Sequence, residues 1–164
     1  DADIRMIRQA LRESMAHIRD VAAGLLLEPD GFPGLREAIL RVVEAHRAAT
    51  GSAVALDLSE APERCPQPVA LCLGRVVQEG LANAARHAGG RGQRVRVARA
   101  DGGIVAEVTD AGPGPAGPPP PAAGPRLGLI GLRVRVESVG GVLRFEAVPG
   151  GGATLTAWAP VEGG

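Results

Sequence analysis

The sequence of 164 residues contains 18 arginines and no lysine. A P-loop needs a lysine directly after its glycines, so this absence excludes that class of nucleotide site. Aromatic residues make up only 2% of the chain, which argues against the base-stacking surfaces of single-strand-binding proteins. The 18 basic residues balance 18 acidic ones, so charge gives no reason to expect nucleic acid as a partner, and we expect none.

Cysteine and long apolar runs are also scarce. Cys65 and Cys72 are the two cysteines; they form no C-x-x-C pair, and we interpret them as free structural thiols. No run approaches the roughly 18 apolar residues that cross a bilayer, and the first residues lack the layout of a signal peptide. We therefore expect a cytoplasmic domain without membrane contact. The chain begins without methionine, and we expect it to be a fragment of a longer protein.

The spacing of apolar residues predicts four helices and five strands. An a/d heptad pattern from Ile4 to Leu25 is typical of a helix that packs against other helices. The other predicted helices are Gly34–Thr50, Pro68–Ala88 and Leu129–Val139, and the predicted strands are Ala53–Leu58, Arg94–Arg99, Ile104–Thr109, Val142–Val148 and Ala153–Ala159. Short turns at 100–103 and 149–152 imply antiparallel pairs, with helices covering one face of the sheet.

The segment VTDAGPGPAGPPPPAAG, residues 108–124, admits two interpretations. Its glycines spell G-x-G-x-x-G, the spacing of a dinucleotide-binding turn, but that turn must open a helix. The four prolines at 118–121 have no amide hydrogen and restrict their predecessors to extended geometry, so no helix starts there. What remains is a strand that ends in Asp110, followed by Gly112 and Gly114. Such a carboxylate can accept a hydrogen bond from the exocyclic amine of adenine, although Asp-Ala-Gly is also ordinary turn chemistry.

The predicted helix over residues 68–88 carries a polar stripe. Glu79, Asn83 and His87 stand at i, i+4 and i+8, and Arg86 flanks them. An amide oxygen and a carboxylate suit Mg²⁺, and the two basic side chains suit phosphate oxygens. The alternative is a solvated polar face without a ligand.

Four motifs in sequence resemble the ATP-binding domain of sensor histidine kinases. The N box is matched by QEGLANAARHA, the G1 box by DAGPG, the G2 box by RLGLIGLRVRVESVGG and the closing glycine-rich turn by PGGGAT. Their order and spacing resemble the nitrate-sensor and desaturase-regulator branch, and the resemblance runs from about residue 35 to residue 160. It implies the Bergerat fold of the GHKL family, an α+β two-layer sandwich of helices on a mixed, mainly antiparallel sheet. Residues 1–33 then resemble the second helix of a dimerisation and phosphotransfer region, and residues 34–164 the catalytic domain.

The resemblance also implies ATP and Mg²⁺ as cofactors. Glu79 and Asn83 take the catalytic and metal-binding positions, and Asp110 takes the position that binds the adenine amine. The implied ATP-binding residues are Asn83, Arg86, His87, Asp110, Gly112, Gly114, Arg126, Gly128, Leu129, Gly131 and Thr154. Arg126 replaces the first glycine of the G2 box, Val134 replaces a glutamate, and the usual threonine after the last glycine is Ala153, with Thr154 one position later.

None of the three histidines, His17, His46 and His87, is followed by an acidic residue, as the phosphoacceptor of these kinases is. We therefore expect transfer of the γ-phosphoryl group to a histidine outside this chain and then to a response regulator, of the LuxR/NarL type. The resemblance implies a homodimer formed through the helical region. Two alternatives stay open: a nucleotide-binding sensor that has lost turnover, suggested by Arg126 and the proline-rich loop, and another Bergerat ATPase such as an anti-sigma serine kinase.

Overall fold

The computed structural model describes residues 34–113, 127–148 and 150–161, together with four isolated positions near the start of the chain. Those four, Ile4, Ile7, Arg8 and Met15, are helical and exposed. The rest of the predicted heptad helix, and the loop that includes Gly114 and Arg126, lie outside the described residues. Within the described part of the chain, no helix is long and apolar enough to span a membrane.

The described residues between 34 and 160 form three helices and five strands. They are α1 (Gly34–Thr50), β1 (Val54–Asp57), α2 (Gln67–Ala88), β2 (Gln93–Ala100), β3 (Gly103–Asp110), α3 (Leu127–Ser138), β4 (Val142–Val148) and β5 (Gly152–Pro160). Every element predicted in this region is present, with ends displaced by no more than two residues. Proline at the start of α2 and the left-handed Gly89 at its end, with φ of 61°, fix the limits of the longest helix.

The five strands form one mixed sheet in the order β1-β2-β3-β5-β4. β1 runs parallel to β2, because α2 lies between them in the chain and carries it back to the same edge, while the other three pairs are antiparallel. The β2–β3 turn has positive φ at Asp101 and Gly102, 47° and 72°, as the predicted two-residue hairpin requires. The mixed, mainly antiparallel sheet is confirmed.

The core lies between the sheet and α2. The apolar face of α2 is buried, and α1 and α3 pack beside it. The largest fully buried side chains are Leu35, Ile39, Val43, Leu73, Val76, Val77, Leu81, Val95, Val97, Ile104 and Val136. Alternation along β3 points Ile104, Ala106 and Val108 towards α2, and leaves Glu107 and Thr109 on the other face. Asp110, at the next even position, therefore lies on the helix side of the sheet.

One buried polar residue links the two layers. Gln93, 2% exposed at the start of β2, donates from Nε2 to the carbonyl of Leu81 in α2 at 3.3 Å. Its Oε1 lies 3.0 Å from Nε2 of His46 in α1. His46 is thus a half-buried packing residue of the helical layer, as its place on the apolar face of α1 predicts.

Both cysteines are free. Cys72 is buried in α2 and Cys65 is half-buried in the loop before it. Burial raises the pKa of each thiol to about 11, so both stay protonated at neutral pH. A protonated thiol is a poor nucleophile and a poor metal ligand, which agrees with a structural role.

α2 approaches the sheet closely at Gly80, where a Cβ atom would lie 2.9 Å from two carbon atoms of Val108. We expect Gly80→Ala to lower the free energy of unfolding by about 1–3 kcal/mol, because α2 must move away from β3. Gly74, in the same helix, has open space at its Cβ position, so Gly74→Ala is expected to stabilise by about 0.5–1 kcal/mol. Urea unfolding of both variants measures the difference, and equal effects would contradict the proposed contact.

Candidate functional site

The polar stripe of α2 forms a hydrogen-bonded group of three side chains. Nη2 of Arg86 donates to Oε1 of Glu79 at 3.1 Å and to Oδ1 of Asn83 at 2.7 Å. The spacings of four and three residues place these side chains on successive turns of one helix face. One guanidinium nitrogen is therefore hydrogen-bonded to both a carboxylate oxygen and an amide oxygen. We call these three residues the N-box cluster.

The start of α3 lies against the N-box cluster. A Cβ atom on Gly128 would lie 2.8 Å from Oε1 of Glu79, so the helix backbone approaches the carboxylate closely. The side chain of Glu79 is only 23% exposed, whereas that of Arg86 is 50% exposed. The carboxylate thus sits between α2 and α3, and the guanidinium lies on the solvent side of it.

Asp110 lies where β3 ends against the last turn of α2. Its Oδ1 accepts a hydrogen bond of 2.8 Å from the backbone N–H of Gly112. A Cβ atom on Gly112 would lie 2.4 Å from Cβ of Ala88 and 3.0 Å from Oδ1 of Asp110, so only glycine fits there. This bond fixes the orientation of the carboxylate, and the strand register puts it on the face that carries α2.

The glycine-rich turn between β4 and β5 packs against the backbone of Asp110. Gly152, with φ of 82°, approaches so closely that a Cβ atom would lie 2.0 Å from the carbonyl oxygen of Asp110. The N–H of Gly150 donates to the carbonyl of Pro113 at 2.6 Å. These contacts give the PGGGAT motif a positioning role that the sequence interpretation did not assign to Gly152, although the run of glycines was the available signal.

Not every predicted site residue joins these groups. Thr154 pairs with Thr109 in the β3–β5 ladder, whereas Ala153 pairs with Asp110. Directly opposed residues point to the same face, so Thr154 lies on the side of the sheet away from α2, opposite to the face of Asp110. The residue on the face of Asp110 is Ala153.

The remaining predicted residues have mixed placements. His87 is exposed in the last turn of α2, one turn beyond Asn83. In α3, Leu129 is half-buried against the core, and Gly131 is exposed with open space at its Cβ position. Gly114 and Arg126 lie outside the described residues.

The contact between Gly128 and Glu79 makes a testable prediction. Gly128→Ala is expected to displace the Glu79 carboxylate, because the flexible end of that side chain moves more easily than the helix. We expect stability to change by less than about 1 kcal/mol and affinity for metal–nucleotide to fall about fivefold, the effect of one disturbed hydrogen bond. Calorimetric titration measures the affinity. In a Glu79→Ala background, Gly128→Ala should cause no further loss of affinity for metal–nucleotide. If the two substitutions lower this affinity additively, the contact between Gly128 and Glu79 is contradicted.

Comparison with known proteins identifies the family of this domain. The family model for the histidine kinase-, DNA gyrase B- and HSP90-like ATPases matches residues 69–163, more than half of the chain. The chain belongs to this family of ATPases, and the domain binds ATP. Within the family, its relatives assign it to the ATP-binding domains of sensor histidine kinases, as the four motifs imply.

Two curated relatives illustrate the similarity. The chain is 28% identical over 157 residues to the sensor histidine kinase LnrJ of Bacillus subtilis, covering 96% of this chain and 38% of that protein. It is 30% identical over 152 residues to the nitrate/nitrite sensor protein NarX of Escherichia coli, covering 93% of this chain and 25% of that protein. The chain thus spans well under half the length of either relative.

Solved structures show the same fold. The histidine kinase domain of the blue-light activated histidine kinase EL346 from Erythrobacter litoralis matches with a TM-score of 0.61 at 23% identity, covering 75% of this chain and 59% of that chain. The histidine kinase AdeS of Acinetobacter baumannii matches with a TM-score of 0.62 at 15% identity, covering 96% of this chain and 84% of that one. At these sequence identities, the structural similarity is evidence for the fold alone.

Proposed function

We propose that this domain binds Mg-ATP between the N-box cluster and Asp110 and transfers the γ-phosphoryl group to a histidine of a sensor histidine kinase. The observation that carries the proposal is the convergence of Glu79 and Asn83 on the Arg86 guanidinium, with Asp110 on the sheet face that carries the same helix. In this assignment Asp110 accepts a hydrogen bond from the adenine amine. Arg86 and His87 face the phosphates, and the start of α3 lies beside them.

The donor set of the N-box cluster fits Mg²⁺. Glu79 offers a carboxylate oxygen and Asn83 a neutral amide oxygen, and Mg²⁺ prefers hard oxygen ligands while keeping several waters and substrate phosphates. The two oxygens already converge on a positive group, the Arg86 guanidinium, at 3.1 and 2.7 Å. Bound there, Mg²⁺ would neutralise charge on the phosphoryl group during transfer. Glu79 and Asn83 would orient the nucleotide, and Glu79 could also accept a proton from a bound water.

The wider assignment concerns the protein that contains this chain. Residues 1–33 would form the second helix of a dimerisation region, and the resulting homodimer would present its phosphoacceptor histidine to the domain. The phosphoryl group would then pass to an aspartate of a response regulator, of the LuxR/NarL type. The support is the similarity to LnrJ and NarX and the a/d heptad pattern from Ile4 to Leu25.

Phosphotransfer between separate fragments tests this function. The chain is mixed with Mg²⁺, ATP labelled at the γ-phosphate, and the separately produced dimerisation helices of the full-length protein. We expect label on a histidine of the helices, identified by its acid-labile phosphoramidate bond. ATP binding without transfer would instead favour a nucleotide sensor, and steady hydrolysis by the chain alone would favour another ATPase of the family.

A further inference from the structure

The Arg86 guanidinium occupies the point at which the proposed metal ligands converge. Its Nη2 atom lies within hydrogen-bonding distance of both Oε1 of Glu79 and Oδ1 of Asn83, at 3.1 and 2.7 Å. A guanidinium group only donates hydrogen bonds, so the amide of Asn83 presents its oxygen to this point. A metal ion that uses the same two oxygens cannot bind while Arg86 remains there.

We propose that Arg86 is a displaceable internal cation that makes Mg²⁺ and nucleotide bind with positive coupling. Without metal, it neutralises Glu79 and holds both ligand oxygens in place. When metal–nucleotide binds, Arg86 leaves these oxygens and pairs with the phosphates. This inference rests on the proposed function, and it assigns to Arg86 a second role beyond phosphate contact.

The surroundings identify Arg86 as the partner that moves. Glu79 is 23% exposed and held under Gly128, whereas Arg86 is 50% exposed. Apart from the N-box cluster, the contact described for the guanidinium is a hydrogen bond of 3.4 Å from Nε to the carbonyl of Ala82, which is long. The side chain can therefore rotate away while the α2 backbone and the two ligand side chains stay in place.

The coupling follows from charge and geometry. When Mg²⁺ binds without ATP, the two hydrogen bonds from Arg86 to Glu79 and Asn83 must break. The displaced guanidinium then stays beside a doubly charged cation without a new partner. With ATP present, the phosphates offer the displaced guanidinium a bidentate partner, so the same displacement is less unfavourable. Because coupling between two ligands is reciprocal, Mg²⁺ should raise the affinity for ATP by the same factor as ATP raises the affinity for Mg²⁺.

Binding measurements without catalysis test the inference. Calorimetric titration gives the affinity for Mg²⁺ alone, and for a non-hydrolysable ATP analogue with and without Mg²⁺, in the wild-type chain and in Arg86→Ala and Arg86→Gln. Both substitutions remove the charge, and glutamine keeps a hydrogen-bond donor. We expect both variants to bind Mg²⁺ alone about fivefold or more tightly than wild type, and the ratio of analogue affinities with and without Mg²⁺ to fall by a similar factor.

The control is Arg41→Ala, which removes an exposed arginine that pairs with Glu37 at i,i+4 on α1 and causes the same change in net charge. It should leave all three affinities unchanged. Unchanged or weaker binding of Mg²⁺ alone by both Arg86 variants, with ATP binding still dependent on Mg²⁺, would overturn the inference. Failure of the proposed Mg-ATP site gives a different result, because the wild-type chain would then bind the analogue equally well with and without Mg²⁺.

Discussion

Asp110→Asn is expected to weaken ATP binding by about 1–3 kcal/mol, roughly 5- to 150-fold, while leaving the fold intact. Asparagine can keep its carbonyl oxygen towards the N–H of Gly112, which now donates to Asp110 at 2.8 Å. The amide NH₂ then replaces the second carboxylate oxygen and faces the adenine amine, so that two donors oppose each other. Calorimetric titration with ATP measures the loss, and thermal unfolding checks the fold.

The matched control is Glu107→Gln, which makes the same chemical change three residues earlier in β3. Glu107 pairs with Arg96 and Thr156 on the sheet face away from α2, so its substitution should leave ATP affinity unchanged. The assignment also requires selectivity for base, because guanine presents a carbonyl where adenine presents its amine. Equal affinities of the wild-type chain for ATP and GTP would defeat it.

Asn83→Ala is expected to remove the Mg²⁺ dependence of ATP binding. The substitution deletes a neutral ligand oxygen, and the apparent affinity for Mg²⁺ should fall by about 10- to 100-fold or more, since even outer-shell partners of metal ligands have effects of that size. Alanine has a higher helix propensity than asparagine, so α2 should not be destabilised. Titration of Mg²⁺ at fixed ATP concentration measures the change.

Gln78→Ala provides the comparison for this variant. Gln78 is an exposed amide on the same helix, five residues before Asn83 and on a different face. Its substitution should leave both ATP affinity and metal dependence as in the wild type. If Asn83→Ala retains full Mg²⁺ dependence, the metal site lies elsewhere and the N-box cluster serves only to stabilise the helix surface.

The elements were predictable because their signals are local. The polar and apolar faces of α2 follow from a period of 3.6 residues, and Asp101-Gly102 specifies its own turn. The position of Asp110 on the helix side also follows from alternation, since Val108 is apolar and two residues away. The parallel pairing of β1 with β2 was not available from local signals, and only the family resemblance implied a mixed sheet.

The details of the site were less predictable. Helical spacing puts Glu79, Asn83 and Arg86 on one face, but the guanidinium bridge depends on side-chain rotamers that spacing does not determine. Thr154 was assigned to the site by residue type, one position later than the usual threonine of the motif, and the register places it on the face opposite to Asp110. A shift of one residue in a strand moves a side chain to the other face of the sheet. Leu155 is buried on the face that carries α2, so its neighbour Thr154 lies on the opposite face.

The missing side chain at position 80 has a consequence for the proposed nucleotide site. Gly80 adjoins Glu79 in sequence, and its contact partner Val108 is two residues from Asp110. In the proposed site, this contact would therefore set the distance between the helix that carries Glu79 and the strand that ends in Asp110. A larger residue at position 80 would move the helix and the strand apart, so the width available to the nucleotide would depend on the hydrogen atom that glycine carries in place of a side chain.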